Sequence, residues 1–299
     1  MIIRFFKFTK LPQLIIAIII SILIMLASID LNNLIKEFYF LSALILIFFL
    51  SLFIISKNAI LKSNQYISLG FIVFCGIYFK MPSQISITVS YFFLLLSIRK
   101  IYSLKSKKNI NKKLFDIGFW FIISVILSPI NFLFIITILS GLFIFDKISF
   151  GVLLKVIVGM VSASLMFIFF QDFKQNIFEF SGPFSYINGQ IWEAYISIEI
   201  ILNQRFNHWL FASVCIVIYV YYLYNFFGNN LNERNKNLFL LIFFINSIFL
   251  VFMINEYSIF LFFPFLVTLV KIISELRDNF IFEIIVLTAI ILNSYPFNS

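Results

Sequence analysis

Long apolar runs separated by short charged or turn-forming stretches recur along the whole chain, beginning with LPQLIIAIIISILIMLASI at residues 11–29. A helix crossing the hydrocarbon core takes about 20 apolar residues, roughly 17–25 in practice. Cut at its polar breaks, the pattern predicts eleven membrane helices over residues 11–29, 38–55, 66–79, 85–98, 114–128, 131–145, 150–170, 207–227, 238–254, 257–273 and 280–293. The predicted fold class is therefore all-α, a polytopic transmembrane bundle forming a single integral membrane domain over 1–299.

Four of the predicted helices are short. At 1.5 Å per residue, 66–79 and 85–98 reach about 21 Å against a core of about 30 Å, and the pair 114–128 and 131–145 is little longer. Each pair turns at a proline among polar residues, KMPSQ at 80–84 and SPIN at 128–131. Irregular polar backbone is tolerated at membrane depth only when it is buried in protein or lines a wet cavity. The expectation is two short hairpins whose tips, Ser83 and Asn131, help form a cavity open to the outer side. Ordinary hairpins in a locally thinned bilayer are the alternative.

Segment 150–170 carries Gly159 and Ala163 four residues apart, a small-residue pattern that lets helices approach closely, and it is expected at the centre of the bundle. The loop at 171–206 is expected outside the cytoplasm. It is broken at Ser181-Gly182-Pro183 and turned at Asn188-Gly189. After that turn, Ile191, Trp192, Tyr195, Ile198 and Leu202 recur at helical spacing and predict an amphipathic helix lying in the membrane interface.

Composition supports the membrane class. Hydrophobic residues make up 62% of the chain and charged residues 12%, with a mean hydropathy of +1.07. The 44 phenylalanines, with abundant Ile, Lys and Asn, match AT-rich codon usage and are given no ligand-binding meaning. The net charge of +9 finds its explanation in orientation rather than in a nucleic-acid partner. With the N-terminus in the cytoplasm and the C-terminus outside, 17 of the 22 basic residues fall in inside loops, while Lys36, Lys80, Lys174 and Arg205 fall outside. The richest inside loop is SIRKIYSLKSKKNINKK at 97–113, a stretch suited to anionic lipid heads. Arg4, Lys7 and Lys10 before the first apolar run imitate a signal peptide, but that run is expected to be retained as the first helix. Cys75 and Cys215, 140 positions apart in apolar segments, suit small buried side chains better than a disulfide or metal site.

Absences narrow the chemistry. His208 is the one histidine, so di-iron, multi-histidine and paired haem sites are excluded, and no cofactor or metal is expected. Nucleotide-loop, zincin and nucleophile-elbow patterns are missing. No charge stands at the middle of a predicted helix, which weighs against a proton-driven transporter.

On the expected outer side lie Asp30, Lys36, Glu37, Arg205 and His208. Asp30 follows the first helix, where membrane sugar transferases that use polyprenyl phosphates carry a catalytic carboxylate. Asp30 and Glu37 are therefore the candidate catalytic carboxylates. Lys36, Arg205 and His208 are candidates for holding a lipid-linked phosphate, Arg205 and His208 being one helical turn apart. The same Arg205, His208 and Trp209 also read as ordinary anchors of a membrane helix.

Residues 112–163 carry a resemblance. Lys112-Lys113, then Phe115-Asp116 and Gly118-Phe119, a helix broken at Ser128-Pro129, a second helix and the start of a third resemble an uncharacterised Bacteroidota-type family of multi-pass inner-membrane proteins of about this length. The resemblance implies a bacterial cytoplasmic-membrane location and transfers no activity and no catalytic residue. The leading expectation is a protein that handles polyprenyl-phosphate-linked glycan at the outer membrane face, glycosyltransferase- or polymerase-like. The alternatives are a non-catalytic scaffold or subunit of an envelope complex, partnered by other membrane proteins, and a transporter.

Overall fold

The computed structural model describes residues 5–6, 10–28, 34–61, 66–78, 85–145, 149–175, 216, 219–220, 231–253 and 255–275. Among the described residues all regular structure is helical. In chain order the helices are α1 (Leu11–Ser28), α2 (Leu34–Lys57), α3 (Ile67–Tyr78), α4 (Ile85–Ser103), α5 (Ile110–Leu127), α6 (Ile135–Phe145), α7 (Phe150–Gln175), α8 (Leu231–Met253) and α9 (Phe262–Glu275). Each coincides with one of the predicted segments. Of 207–227 only Ile216, Tyr219 and Val220 are described, all helical, and 280–293 lies outside the described residues.

Among the described residues five stretches are long and apolar enough to cross a membrane: Phe38–Lys57, Ile85–Ser106, Phe150–Phe169, Glu233–Phe252 and Tyr257–Ser274. This is a helical membrane protein. Its outer surfaces agree with a lipid solvent, because α1 exposes Ile15, Ile19 and Leu23 and α2 exposes Leu46, Phe49 and Phe53. In water such faces would aggregate; in hydrocarbon they are at no disadvantage.

The chain divides into two compact units. The first contains α1, α2, α3 and α9. There α3 packs against α1 and α9, and aromatic rings fill the seams. Phe48 of α2 stacks on Phe71 of α3 at 4.1 Å between ring centroids, and Phe74 meets Phe262 edge-on at 4.8 Å. Cys75 is a buried free thiol beside these rings in sequence, as expected for a small core side chain.

The second unit contains α4 to α7 and α8 from Asn235 onward. Its contacts fix the direction of each helix. Lys100 meets Asp116, Ser97 donates to the Ile117 carbonyl at 3.0 Å, and Phe93 stacks on Trp120, so α4 and α5 are antiparallel. Lys155 reaches Asn111 at 2.8 Å while Gly159 lies against Phe115, so α5 and α7 are parallel. Parallel neighbours require the chain to return along their length between them. The 3-10 turn at Pro129–Phe134 followed by α6 makes that return. At about 2.0 Å per residue for the 3-10 part and 1.5 Å for the α part, it covers about 28 Å, close to the core thickness.

This corrects the expected shortness of two hairpin arms and of one arm of the other hairpin. α5 begins at Ile110 rather than 114, and α4 continues to Ser103, then in 3-10 form through Ser106. Arg99 and Lys100, just past the predicted end of α4, lie within it. A helix can carry a charge where a partner reaches it, and Asp116 reaches Lys100. Among the described residues of these arms α3, with 12 residues, remains short, and α6, with 11, gains length only from the 3-10 turn before it.

The expected central position of Gly159 also needs correction. The Gly159 side of α7 is packed and Ala163 is buried, but the rest of the helix is open. Phe150 is 81% exposed and Phe169 72%, with Leu154, Ile157, Val161, Leu165 and Met166 between them. α7 is a rim helix with one close seam. It also runs to Gln175, so the first residues of the expected loop at 171–206 are helical, and the rest of that loop lies outside the described residues.

Candidate functional site

The sequence singled out two clusters of chemistry, and the described residues treat them differently. Asp30, Arg205 and His208 lie outside the described residues, as does Ser83. Lys36 and Glu37 lie in the first turn of α2. α1 ends at Ser28 and α2 starts at Leu34, and the two helices pack together, so the connection that contains Asp30 joins paired apolar helices. Lys36 and Glu37 thus stand at one end of that pair, a few residues along the chain from Asp30.

Asn131 was expected at the rim of an open cavity and is instead fully buried. Its carboxamide Nδ2 donates to Ser124 Oγ at 2.8 Å, Ser90 Oγ at 3.0 Å and the Ser124 carbonyl at 3.3 Å. Ser90 in turn donates to the Ile87 carbonyl at 2.7 Å. The reason is local: Ser128 leaves the helical region with φ −150° and ψ 99°, and Pro129 starts a 3-10 turn that swings Asn131 back over the end of α5. The turn is held where the Asn131 N–H donates to the Ser128 carbonyl at 3.0 Å. Asn131 Oδ1 is buried without a hydrogen-bond partner. The result is a closed polar knot tying α4, α5 and the turn. Sequence reasoning missed it, although Ser124, Ser128 and Asn131 at helical spacing in an apolar run were its signal.

A second internal polar contact joins α6 to α8, where Asn246 Nδ2 donates to Thr137 Oγ1 at 2.6 Å. Hydrogen bonds of this kind fix helix register where lipid removes the ordinary hydrophobic drive.

Basic residues gather around the turn between α4 and α5. Lys100 pairs with Asp116, and Lys113 Nζ donates to the Ser103 carbonyl at 2.5 Å and to Ser106 Oγ at 2.6 Å. Partial burial pushes the Lys113 ammonium pKa down, and the like charge of Lys100 pushes it further in the same direction. Lys105, Lys107, Lys108 and Lys112 are exposed. Among the described residues no three or more His, Cys, Asp or Glu side chains gather as metal ligands would.

Comparison with protein-family models, curated proteins and solved structures finds no match.

Proposed function

We propose that the chain is a bacterial cytoplasmic-membrane protein handling polyprenyl-phosphate-linked glycan at the outer membrane face, in the manner of a glycosyltransferase or polymerase. The supporting observation is that Lys36 and Glu37 stand in the first turn of α2, at one end of a packed helix pair and just after the connection whose sequence contains Asp30. In this reading Asp30 takes the proton of an acceptor hydroxyl. The acceptor oxygen then bonds the sugar's anomeric carbon as the bond from that carbon to the lipid phosphate breaks. Glu37 is the second carboxylate, and Lys36, Arg205 and His208 hold the departing phosphate through charge-assisted hydrogen bonds.

A non-catalytic scaffold or subunit of an envelope complex is the second reading. It is favoured by the internal engagement of buried polar groups in the second unit, at Asn131 and at the Thr137–Asn246 pair, which suits a frame for partner membrane proteins. Asp30→Ala and Arg205→Ala separate the two. General acid–base groups contribute about 10²–10⁴-fold, so the enzyme reading expects surface glycan to fall by about that factor in Asp30→Ala cells at unchanged protein level. A wild-type glycan profile in both variants would overturn it in favour of the scaffold.

A further inference from the structure

We propose that the turn between α4 and α5 is a binding site for the headgroups of anionic phospholipids, held by Lys105, Lys107, Lys108 and Lys112. The inference goes beyond the glycan reading and does not depend on it. The first observation is position. Ile85–Ser106 is one of the membrane-crossing stretches, so the turn that follows it stands at the level of lipid headgroups.

The second is order. Leu104–Ser106 is a 3-10 turn closed where the Lys107 N–H donates to the Leu104 carbonyl at 2.9 Å, and Lys107 and Asn109 both hold left-handed backbone, at φ 48° and 52°. Side chains of that size adopt this region at a cost, so the conformation persists only where its surroundings fix it. Here Lys113 does so by bonding Ser103 and Ser106 from the first turn of α5. The lysines therefore stand on a defined loop, and little backbone ordering entropy is lost when a headgroup binds.

The third is charge. Between Ser97 and Asp116 the only acid is Asp116, and it is already bound to Lys100. Lys100 aside, Lys113 and Lys155 bond neutral oxygens of Ser103, Ser106 and Asn111. Lys105, Lys107, Lys108 and Lys112 are exposed and are engaged by no side chain among the described residues. Positive charge thus accumulates in this stretch, with Asp116 as the one acid within it. A phosphodiester at the membrane surface is the complementary partner. Free phosphate offers the same charge without the acyl chains that hold a headgroup beside the span.

The test is native mass spectrometry of the delipidated full-length protein in neutral detergent, titrated with phosphatidylglycerol or phosphatidylcholine. Phosphatidylglycerol is expected to be retained and phosphatidylcholine not. Each lysine near the surface contributes roughly fivefold, so K105Q/K107Q/K108Q/K112Q is expected to weaken phosphatidylglycerol binding at least tenfold, whereas arginine at all four positions preserves it. Raised ionic strength is expected to release the lipid from the unaltered protein, a readout that needs no variant. Equal retention of both lipids, unchanged binding in the glutamine variant, salt-insensitive binding, or displacement of the lipid by millimolar inorganic phosphate would each overturn the proposal.

Discussion

Valine in place of Gly159 is expected to part α7 from α5 and to destabilise the second unit by about 3 kcal/mol, the upper end of what overpacking costs. A Cβ at Gly159 would lie 2.1 Å from the Phe115 carbonyl oxygen, and one at Gly118 would lie 2.0 Å from the Val156 carbonyl oxygen. Both obstacles are backbone, so no rotamer change relieves them. The two helices touch main chain to main chain, each glycine seated against a carbonyl of its partner. The glycine Cα hydrogens point at those oxygens, and such contacts add weakly to the dispersion gained across the seam.

Separating the helices by the angstrom or more that a side chain needs forfeits much of that dispersion along the whole seam. Gly118→Val is expected to act in the same way, and the double variant to cost less than the sum because one seam is lost in both. Gly151→Ala is the control, since a Cβ there meets nothing within 4 Å. Thermal unfolding in detergent gives the stability. Wild-type melting of Gly159→Val, or equal melting of Gly159→Val and Gly151→Ala, would refute the packing.

Asn131→Asp is expected to be the next most damaging change, by about 2–3 kcal/mol. The substitution is isosteric and removes only the donor. A carboxylate in place of the carboxamide meets the Ser124 carbonyl acceptor to acceptor, and it keeps the Ser90 and Ser124 hydroxyl contacts only where those hydroxyls turn to donate, which takes Ser90 from the Ile87 carbonyl. It also buries a charge with no cation among the described neighbours of the knot. Asn131→Leu is expected to be milder. It loses the same bonds, individually worth about 0.6 kcal/mol on average between membrane helices, but relieves the unpartnered Oδ1. If Asp and Leu variants melt alike, Asn131 is not acting as a buried donor.

Much of the fold was legible because lipid imposes a simple code. Apolar length alone located the nine described helices, and charge placed most of their ends within about five residues, although α8 begins at Leu231 rather than 238. The code failed where a polar residue has a protein partner rather than water. Lys100 seemed to end α4 because its partner, Asp116, stands 16 positions away on another helix. Asn131 seemed to mark an open cavity because a buried carboxamide and a wet one look the same in a sequence. Gly159 revealed a close seam, but one glycine does not tell whether the remaining faces of its helix meet protein or lipid. In the candidate site only Lys36 and Glu37 fall on described backbone, at the start of α2, while Asp30, Arg205 and His208 lie outside the described residues. The function itself was least legible, because carboxylates and cations at helix ends serve anchoring as readily as catalysis.

The proposed function requires sidedness, with the connection holding Asp30 turned outward and the lysine-rich turn after α4 turned to the cytoplasm. Labelling of single cysteines by a membrane-impermeant maleimide tests it most directly, in a Cys75→Ala, Cys215→Ala background. Asn33→Cys and Asn188→Cys are expected to react in intact spheroplasts, and Ser106→Cys only after permeabilisation. Labelling of Ser106→Cys from outside, with Asn33→Cys protected until lysis, would invert the topology and remove the basis for chemistry at the outer face.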